Sequence, residues 1–245
     1  THFKTYNHNA LHHERIEGIL NWYKLPSSER PQLITTYLHD IDSAGHRFGQ
    51  DSPELIASIN KVDDTIREMV SKVRLLDFEV NIVIVSDHGM VDYPAQNYEY
   101  LPTWLNDEYK VLATNPIVLI YDEGKSKRTL AQTVTELNQQ ANHYQCYQYQ
   151  DIPTKFNASK TNRIGDITCL TDKNWSIGFT GKTNKGNHGW SQFNTRDMDG
   201  IFYATGPAFK KNFQLDTVEN INIMPLLAQI LGLHITTPID GKLDI

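Results

Sequence analysis

Asn81-Ile82-Val83-Ile84-Val85-Ser86-Asp87-His88-Gly89-Met90 is the stretch on which the reading of this chain turns. Its first half is a β-branched run of the kind found in strands buried within parallel sheets. Its second half sets a carboxylate beside an imidazole at the strand's carboxyl end, and Gly89 permits a sharp exit. In open α/β sheets that edge is where ligands bind. Working outward, Ala10 to Tyr23 predicts a helix with Leu11, Ile16, Ile19 and Leu20 on one side. After a Leu-Pro-Ser-Ser break, Gln32 to Leu38 predicts a strand ending in His39-Asp40-Ile41-Asp42. Ser52 reads as an N-cap and Pro53 as the first helical residue. Leu55, Ile56, Ile59, Val62, Ile66, Met69, Val70 and Val73 then recur at helical spacing.

Downstream, Pro116 to Tyr121 predicts a strand and Lys127 to Ala141 a polar helix. Gly200 to Ala204 predicts another strand, and Asn222 to Leu231 a helix closed by Gly232. Helix and strand signals alternate with no linker, repeat or low-complexity stretch, which predicts an α/β architecture. The 245 residues allow one large domain or two small ones. A net charge of −6 argues against a general nucleic-acid binder, because phosphate backbones recruit basic faces. It leaves open a small phosphorylated ligand whose charge is met by bound metal. Cys146 and Cys169 form no C-x-x-C pattern and read either as paired neighbours on adjacent strands or as two buried thiols. Asn157-Ala158-Ser159 fits a glycosylation acceptor, a triplet common by chance. The chain opens at Thr1 without an initiator Met, so a longer or processed product is expected.

Metal-type ligands come from separate segments. Asp42-Ser43-Ala44-Gly45-His46 sets a carboxylate and an imidazole four apart, in a loop whose small residues let both side chains converge. Asp87-His88 adds an adjacent pair, and His188 sits between glycine-bearing turns in Gly186-Asn187-His188-Gly189. Each piece alone has an ordinary reading as a turn. Together they form a mixed imidazole and carboxylate set that suits zinc first, with manganese and other divalent ions after it. His8, His12 and His13 read as solvated, His39 as part of a surface loop. His2, His143 and His234 carry no pattern.

The order Asp-x-x-Gly-His-x-x-Gly (Asp42 to Gly49), Ser-Asp-His-Gly-Met (Ser86 to Met90) and His-Gly (His188, Gly189) resembles the nucleotide pyrophosphatase/phosphodiesterase family of the alkaline phosphatase superfamily. Glu14-Arg15, Glu29-Arg30-Pro31 and Tyr37 match the approach to the first motif. Arg163-Ile164 and Trp175 match the stretch before His188, and Gly206-Pro207-Ala208-Phe209-Lys210 with Glu219-Asn220-Ile221 match the tail. Ile41, Gln50 and Trp190 depart from the family's frequent residues without touching a ligand.

The resemblance implies an alkaline-phosphatase-like α/β fold with a central, mostly parallel sheet flanked by helices. Residues 1–245 would be the C-terminal portion of a single phosphodiesterase catalytic domain whose N-terminal part is absent. Asp42, His46 and His188 would bind one divalent ion, Asp87 and His88 a second, with Zn2+ first choice for both. Tyr6, in Tyr6-Asn7, would stack on a nucleobase, and Tyr37 would line the same pocket. No catalytic nucleophile is expected within the chain, because the family's threonine and a further Asp ligand lie upstream. The implied activity is hydrolysis of phosphodiester or pyrophosphate bonds in nucleotides, releasing nucleoside monophosphates. The implied setting is extracellular, periplasmic or cell-surface, with no nucleic-acid duplex as partner. The chain is expected to be inactive alone and to associate with the missing N-terminal part. The alternatives are a phosphodiesterase of the choline-phospholipid type, more remotely a phosphomutase or sulfatase, or a non-catalytic nucleotide- and metal-binding module.

Overall fold

A computed structural model describes residues 2–113, 115–158, 163–181 and 184–243. In chain order the elements are α1 (His12–Tyr23), α2 (Asp40–Phe48), α3 (Pro53–Val73), β1 (Ile82–Val85), β2 (Val91–Asp92), β3 (Tyr98–Tyr100), α4 (Trp104–Glu108), β4 (Lys110–Ala113) and β5 (Ile117–Tyr121). Then follow α5 (Leu130–Gln140), β6 (Tyr144–Gln148), β7 (Ile167–Thr171), β8 (Ser176–Gly178), β9 (Gly186–Asn187), β10 (Phe202–Thr205) and α6 (Ile223–Ile230). Among the described residues, no helix is long and apolar enough to cross a membrane. The chain divides into two compact units. One comprises the residues up to Ile41, Ile56–Asp87 and those from Gly200 onward; the other comprises Asp42–Leu55 and His88–Asp199.

The second unit is organised around the antiparallel sheet β4-β5-β7-β6. Val118, Ile120, Ile167 and Cys169 alternate onto its covered face and are fully buried. Leu137 of α5 and Leu105 of α4 pack against them in one apolar cluster. Thr129 caps α5 by accepting from the Gln132 amide at 3.2 Å, while the Gln132 side chain accepts from the Thr129 amide at 2.9 Å. Such reciprocal capping satisfies two amides that a helix start otherwise leaves without partners. Tyr109 Oη and Thr133 Oγ1 meet at 2.7 Å inside the core, so neither hydroxyl is stranded there. Cys146 and Cys169 stand directly opposite in the β6–β7 register and form a disulfide, which decides between the two readings of these cysteines.

In the first unit Ile16 and Ile19 of α1 and Val62 and Val73 of α3 are buried, as their helical spacing predicts, whereas Leu11, Ile56 and Ile59 of the same expected stripes are exposed. β1 pairs antiparallel with β10, matching Ile82 to Thr205 and Val85 to Phe202. Its side chains are half-buried and Val85 is exposed, unlike the fully buried parallel strand expected from its composition. Among the described strands only β3 and β8 pair in parallel. In the four-stranded sheet β4 and β5 are joined by a tight connection, which requires antiparallel neighbours, and β7 lies antiparallel between β5 and β6.

Two other local expectations give way to tertiary context. Gln32 to Leu38 forms no strand: Gln32 is in a bend and the residues after it join no sheet. His12, read as solvated, is held between two partners: Nδ1 meets Thr65 Oγ1 at 2.5 Å and Nε2–H donates to Asp40 Oδ2 at 2.8 Å. Lys61 Nζ donates to the other oxygen of Asp40 at 2.5 Å. The helical spacing of α1 could not reveal these partners, because all of them lie in distant segments. The capping prediction does hold, since the Leu55 amide donates to Ser52 Oγ at 3.1 Å ahead of α3. Gly232 follows α6 with φ +65°, as a residue ending a helix does.

Burial works against ionisation of Asp40, but hydrogen bonds from Lys61 and His12 outweigh it and bring the carboxyl down to about 2. An unfolded Asp titrates near ~3.9. The stability Asp40 contributes is therefore present above that value and lost as pH falls through about 2. Urea midpoints measured across this window should fall less steeply for Asp40→Asn than for the wild type. In the second unit, Leu137→Ala should lower stability by about 2–5 kcal/mol, because it opens a cavity in a fully packed cluster. The shift of the urea midpoint at constant slope reads this out.

Candidate metal centre

The Asp-x-x-Gly-His motif is helical rather than a loop: it lies within α2, so Asp42 and His46 share a face one turn apart. Gly45 is what lets this helix come close to its neighbours. A Cβ there would meet Met90 Cγ at 3.1 Å, and a Cβ on Gly186 would meet the Gly45 carbonyl oxygen at 2.6 Å. The short strand β9 can therefore run hard against α2, and β9 leads directly into His188.

Asp42, His46 and His188 offer ligand atoms that all lie within 4.8 Å of one another. His46 Nε2 is 3.4 Å from Asp42 Oδ1, and His188 Nε2 is 3.8 Å from the same oxygen. The two Nε2 atoms face each other at 3.1 Å. His88 joins the group, with Nε2 4.0 Å from Asp42 Oδ1 and its ring stacked on that of His188 at 3.4 Å. These side chains are half-buried, between a quarter and a third exposed.

Proton placement follows from the neighbouring carbonyls. A carbonyl can only accept, so His46 Nδ1–H donates to Gly186 O at 2.9 Å and His88 Nδ1–H donates to Gly89 O at 2.8 Å. In the neutral rings this leaves the Nε2 lone pairs of both histidines aimed toward Asp42. Asp42 Oδ1 is itself buried and accepts no hydrogen bond from any described residue. Imidazole nitrogens and a carboxylate oxygen thus crowd one point, and Asp42 Oδ1 itself has no donor among the described residues. A divalent cation resolves that crowding, and the residues present fit one. Backbone carbonyls that orient ligating histidines are the usual outer partners of such centres.

Asp87, the remaining predicted ligand, belongs to the first unit, just beyond the carboxyl end of β1. Tyr6 and Tyr37 lie in that unit too. Their ring centroids are 6.3 Å apart, and both are about half exposed. His8 and His39, set aside in the sequence, complete an aromatic cluster: their rings lie 3.7 Å apart with a tilt of 35°, and Tyr6 meets each of them edge-on. His39 is half-buried rather than on an open loop, and burial followed by the charge of His8 lowers its pKa. Trp190, a departure from the family pattern, is buried against Tyr93 and donates its indole N–H to Trp175 O at 2.8 Å. The sequence reading also missed the carbonyls of Gly186 and Gly89. The only signal was their position beside ligand residues.

Comparison with known proteins places this geometry in a family. The mouse ectonucleotide pyrophosphatase/phosphodiesterase family member 1 is 30% identical over 98% of this chain and 28% of its own length. Human ectonucleotide pyrophosphatase/phosphodiesterase 5 superposes with a TM-score of 0.86 at 28% identity, over 98% of this chain and 63% of that one. An inactive form of the murine protein, in complex with AMP, superposes with a TM-score of 0.85 at 26% identity. The chain spans less than a third of the mouse relative and under two thirds of the human structure. These likenesses accord with the alkaline-phosphatase-like α/β fold expected from the sequence. Residues 1–191 match the family described as type I phosphodiesterase / nucleotide pyrophosphatase, and the chain belongs to it.

Proposed function

We propose that this chain supplies most of the metal centre and part of the nucleotide pocket of a hydrolase that cleaves phosphodiester or pyrophosphate bonds in nucleotides. The observation that carries the reading is the convergence of the His46, His188 and His88 Nε2 atoms on the buried Asp42 Oδ1. Asp42, His46 and His188 hold one divalent ion, and His88 with Asp87 contributes to a second, zinc being the ion such ligands suit best. Two bound ions would supply charge stabilisation to the attacking and leaving oxygens of a displacement at phosphorus. Asp42 contributes the negative charge that makes the site selective for a cation, and the carbonyls of Gly186 and Gly89 hold the imidazoles in the tautomer that ligates.

Tyr6 offers an exposed aromatic face on which a nucleobase stacks, with Tyr37 beside it. That face favours a nucleotide over a choline phospholipid, because a base is planar and a choline headgroup is not. The nucleophile and the rest of the second ion's shell come from a further part of the protein, consistent with relatives much longer than this chain. The 245 residues alone bind metal but do not turn over, and they associate with that part. The ectonucleotide names of the relatives support an extracellular or cell-surface setting.

Five measurements test this reading. Asp42→Asn should lower hydrolysis by the longer protein more than ~100-fold, beyond the roughly 10–100-fold typical of outer-shell partners. Its bound zinc, measured by elemental analysis, should fall in parallel, and retained zinc would defeat the ligand assignment. Tyr6→Ala should raise KM for a nucleotide substrate about 10–100-fold with kcat little changed, since a stacked base contributes ~1–3 kcal/mol. Release of phosphocholine faster than nucleoside monophosphate would favour the lipid alternative. Turnover by the isolated chain at the rate of the longer protein would defeat the division of the site.

A further inference from the structure

His188 is the only ligand of the triad carried outside α2, so something must set its position independently of that helix. Both residues flanking it rest on the same dipeptide. Asn187 is 6% exposed, and its Nδ2 donates to the Asn115 backbone oxygen at 2.9 Å. Gly189 has φ +105°, and a Cβ there would lie 3.1 Å from Pro116 Cδ, so its backbone packs directly on the proline ring. On the other side, Gly186 offers its carbonyl to His46 Nδ1, and Lys185 N–H donates to His46 O at 2.8 Å. The segment from Lys185 to Gly189 is thus fastened to α2 at its start and to Asn115-Pro116 at its end, with His188 just before the last contact.

We propose that Asn187 is a positioning residue for the metal centre, and that the Asn115-Pro116 turn is the seat that fixes both His188 and the orientation of His46. The inference rests on the metal reading of Asp42, His46 and His188. Asn187 pairs with Val91 of β2 in register, and its side chain bonds the Asn115 backbone rather than a ligand, so it acts through backbone placement. Losing its donor frees β9 to shift. Such a shift moves the His188 ring and the Gly186 carbonyl together, disturbing two ligands at once. A buried asparagine of purely structural value would instead change stability and leave the ligand geometry alone.

Asn138 provides the comparison. It lies on α5, and its side chain bonds the backbone of Cys146 twice, at 3.0 and 2.7 Å, away from the ligand cluster. Zinc affinity and the visible spectrum of the Co2+-substituted protein should be measured for the wild type, Asn187→Leu, Asn187→Ala and Asn138→Ala. Leu keeps the volume of the buried site without the donor, so at least one of the Asn187 variants remains foldable. The expected result is a loss of Zn2+ affinity of about 10–100-fold in the Asn187 variants, with a shifted Co2+ spectrum. Asn138→Ala should lower the melting temperature and leave both metal readouts unchanged. Wild-type affinity and spectrum in a folded Asn187 variant would overturn the positioning role alone. Failure of the wild type to bind Zn2+ would overturn the metal reading, and this inference with it.

Discussion

The local order of the site depends on a pair of hydrogen bonds to backbone carbonyls. Gly186 O and Gly89 O each accept from the Nδ1–H of a histidine, and that choice of tautomer leaves Nε2 with its lone pair free. Without those acceptors the rings of His46 and His88 could turn or present the wrong nitrogen. With them, the Nε2 atoms of His46 and His88 face Asp42 Oδ1, an arrangement that suits a cation among them. The glycines at 45 and 186 belong to the same constraint. A side chain at Gly186 would push β9 off α2 and take its carbonyl out of reach of His46, and one at Gly45 would press on Met90.

A rigid platform holds this arrangement in the same unit. The sheet β4-β5-β7-β6 is clamped by α5 on its covered face and by the Cys146–Cys169 bridge across two of its strands. β5 begins at Ile117, immediately after Asn115-Pro116, so the seat of the His188 loop is continuous with a buried strand. Packing energy stored in Val118, Ile120, Ile167 and Leu137 is thereby coupled to the placement of a ligand that touches none of them. Loops that carry ligands do so accurately when their ends are tied to elements that cannot move.

In the other unit, the His12–Asp40–Lys61 network joins α1, the first residue of α2 and α3. An ionised carboxylate shared between an imidazole and an ammonium links three segments that sequence separates widely. Close by in the chain, Tyr6, His8, Tyr37 and His39 form an aromatic cluster that remains partly open to solvent. Large rings left half exposed, as Tyr6 and Tyr37 are, suit a planar ligand better than they suit a core.

The amino-acid sequence by itself determined the residue types and order of the candidate metal ligands, the cap at Ser52, the buried Leu55, Val62 and Val73 of the α3 stripe, and the family. Each of these rests on local spacing or on a short motif, and local rules are what a linear string records. Whether Cys146 meets Cys169, whether His12 is solvated, and which nitrogen of His46 faces Asp42 were decided only by tertiary structure. The partners in those cases lie 23, 28 and 140 residues away. The same holds for the first motif, whose small residues suggested a loop. Its helix brings the Gly45 backbone into close contact with Gly186, a long-range packing that no propensity along α2 alone could foretell.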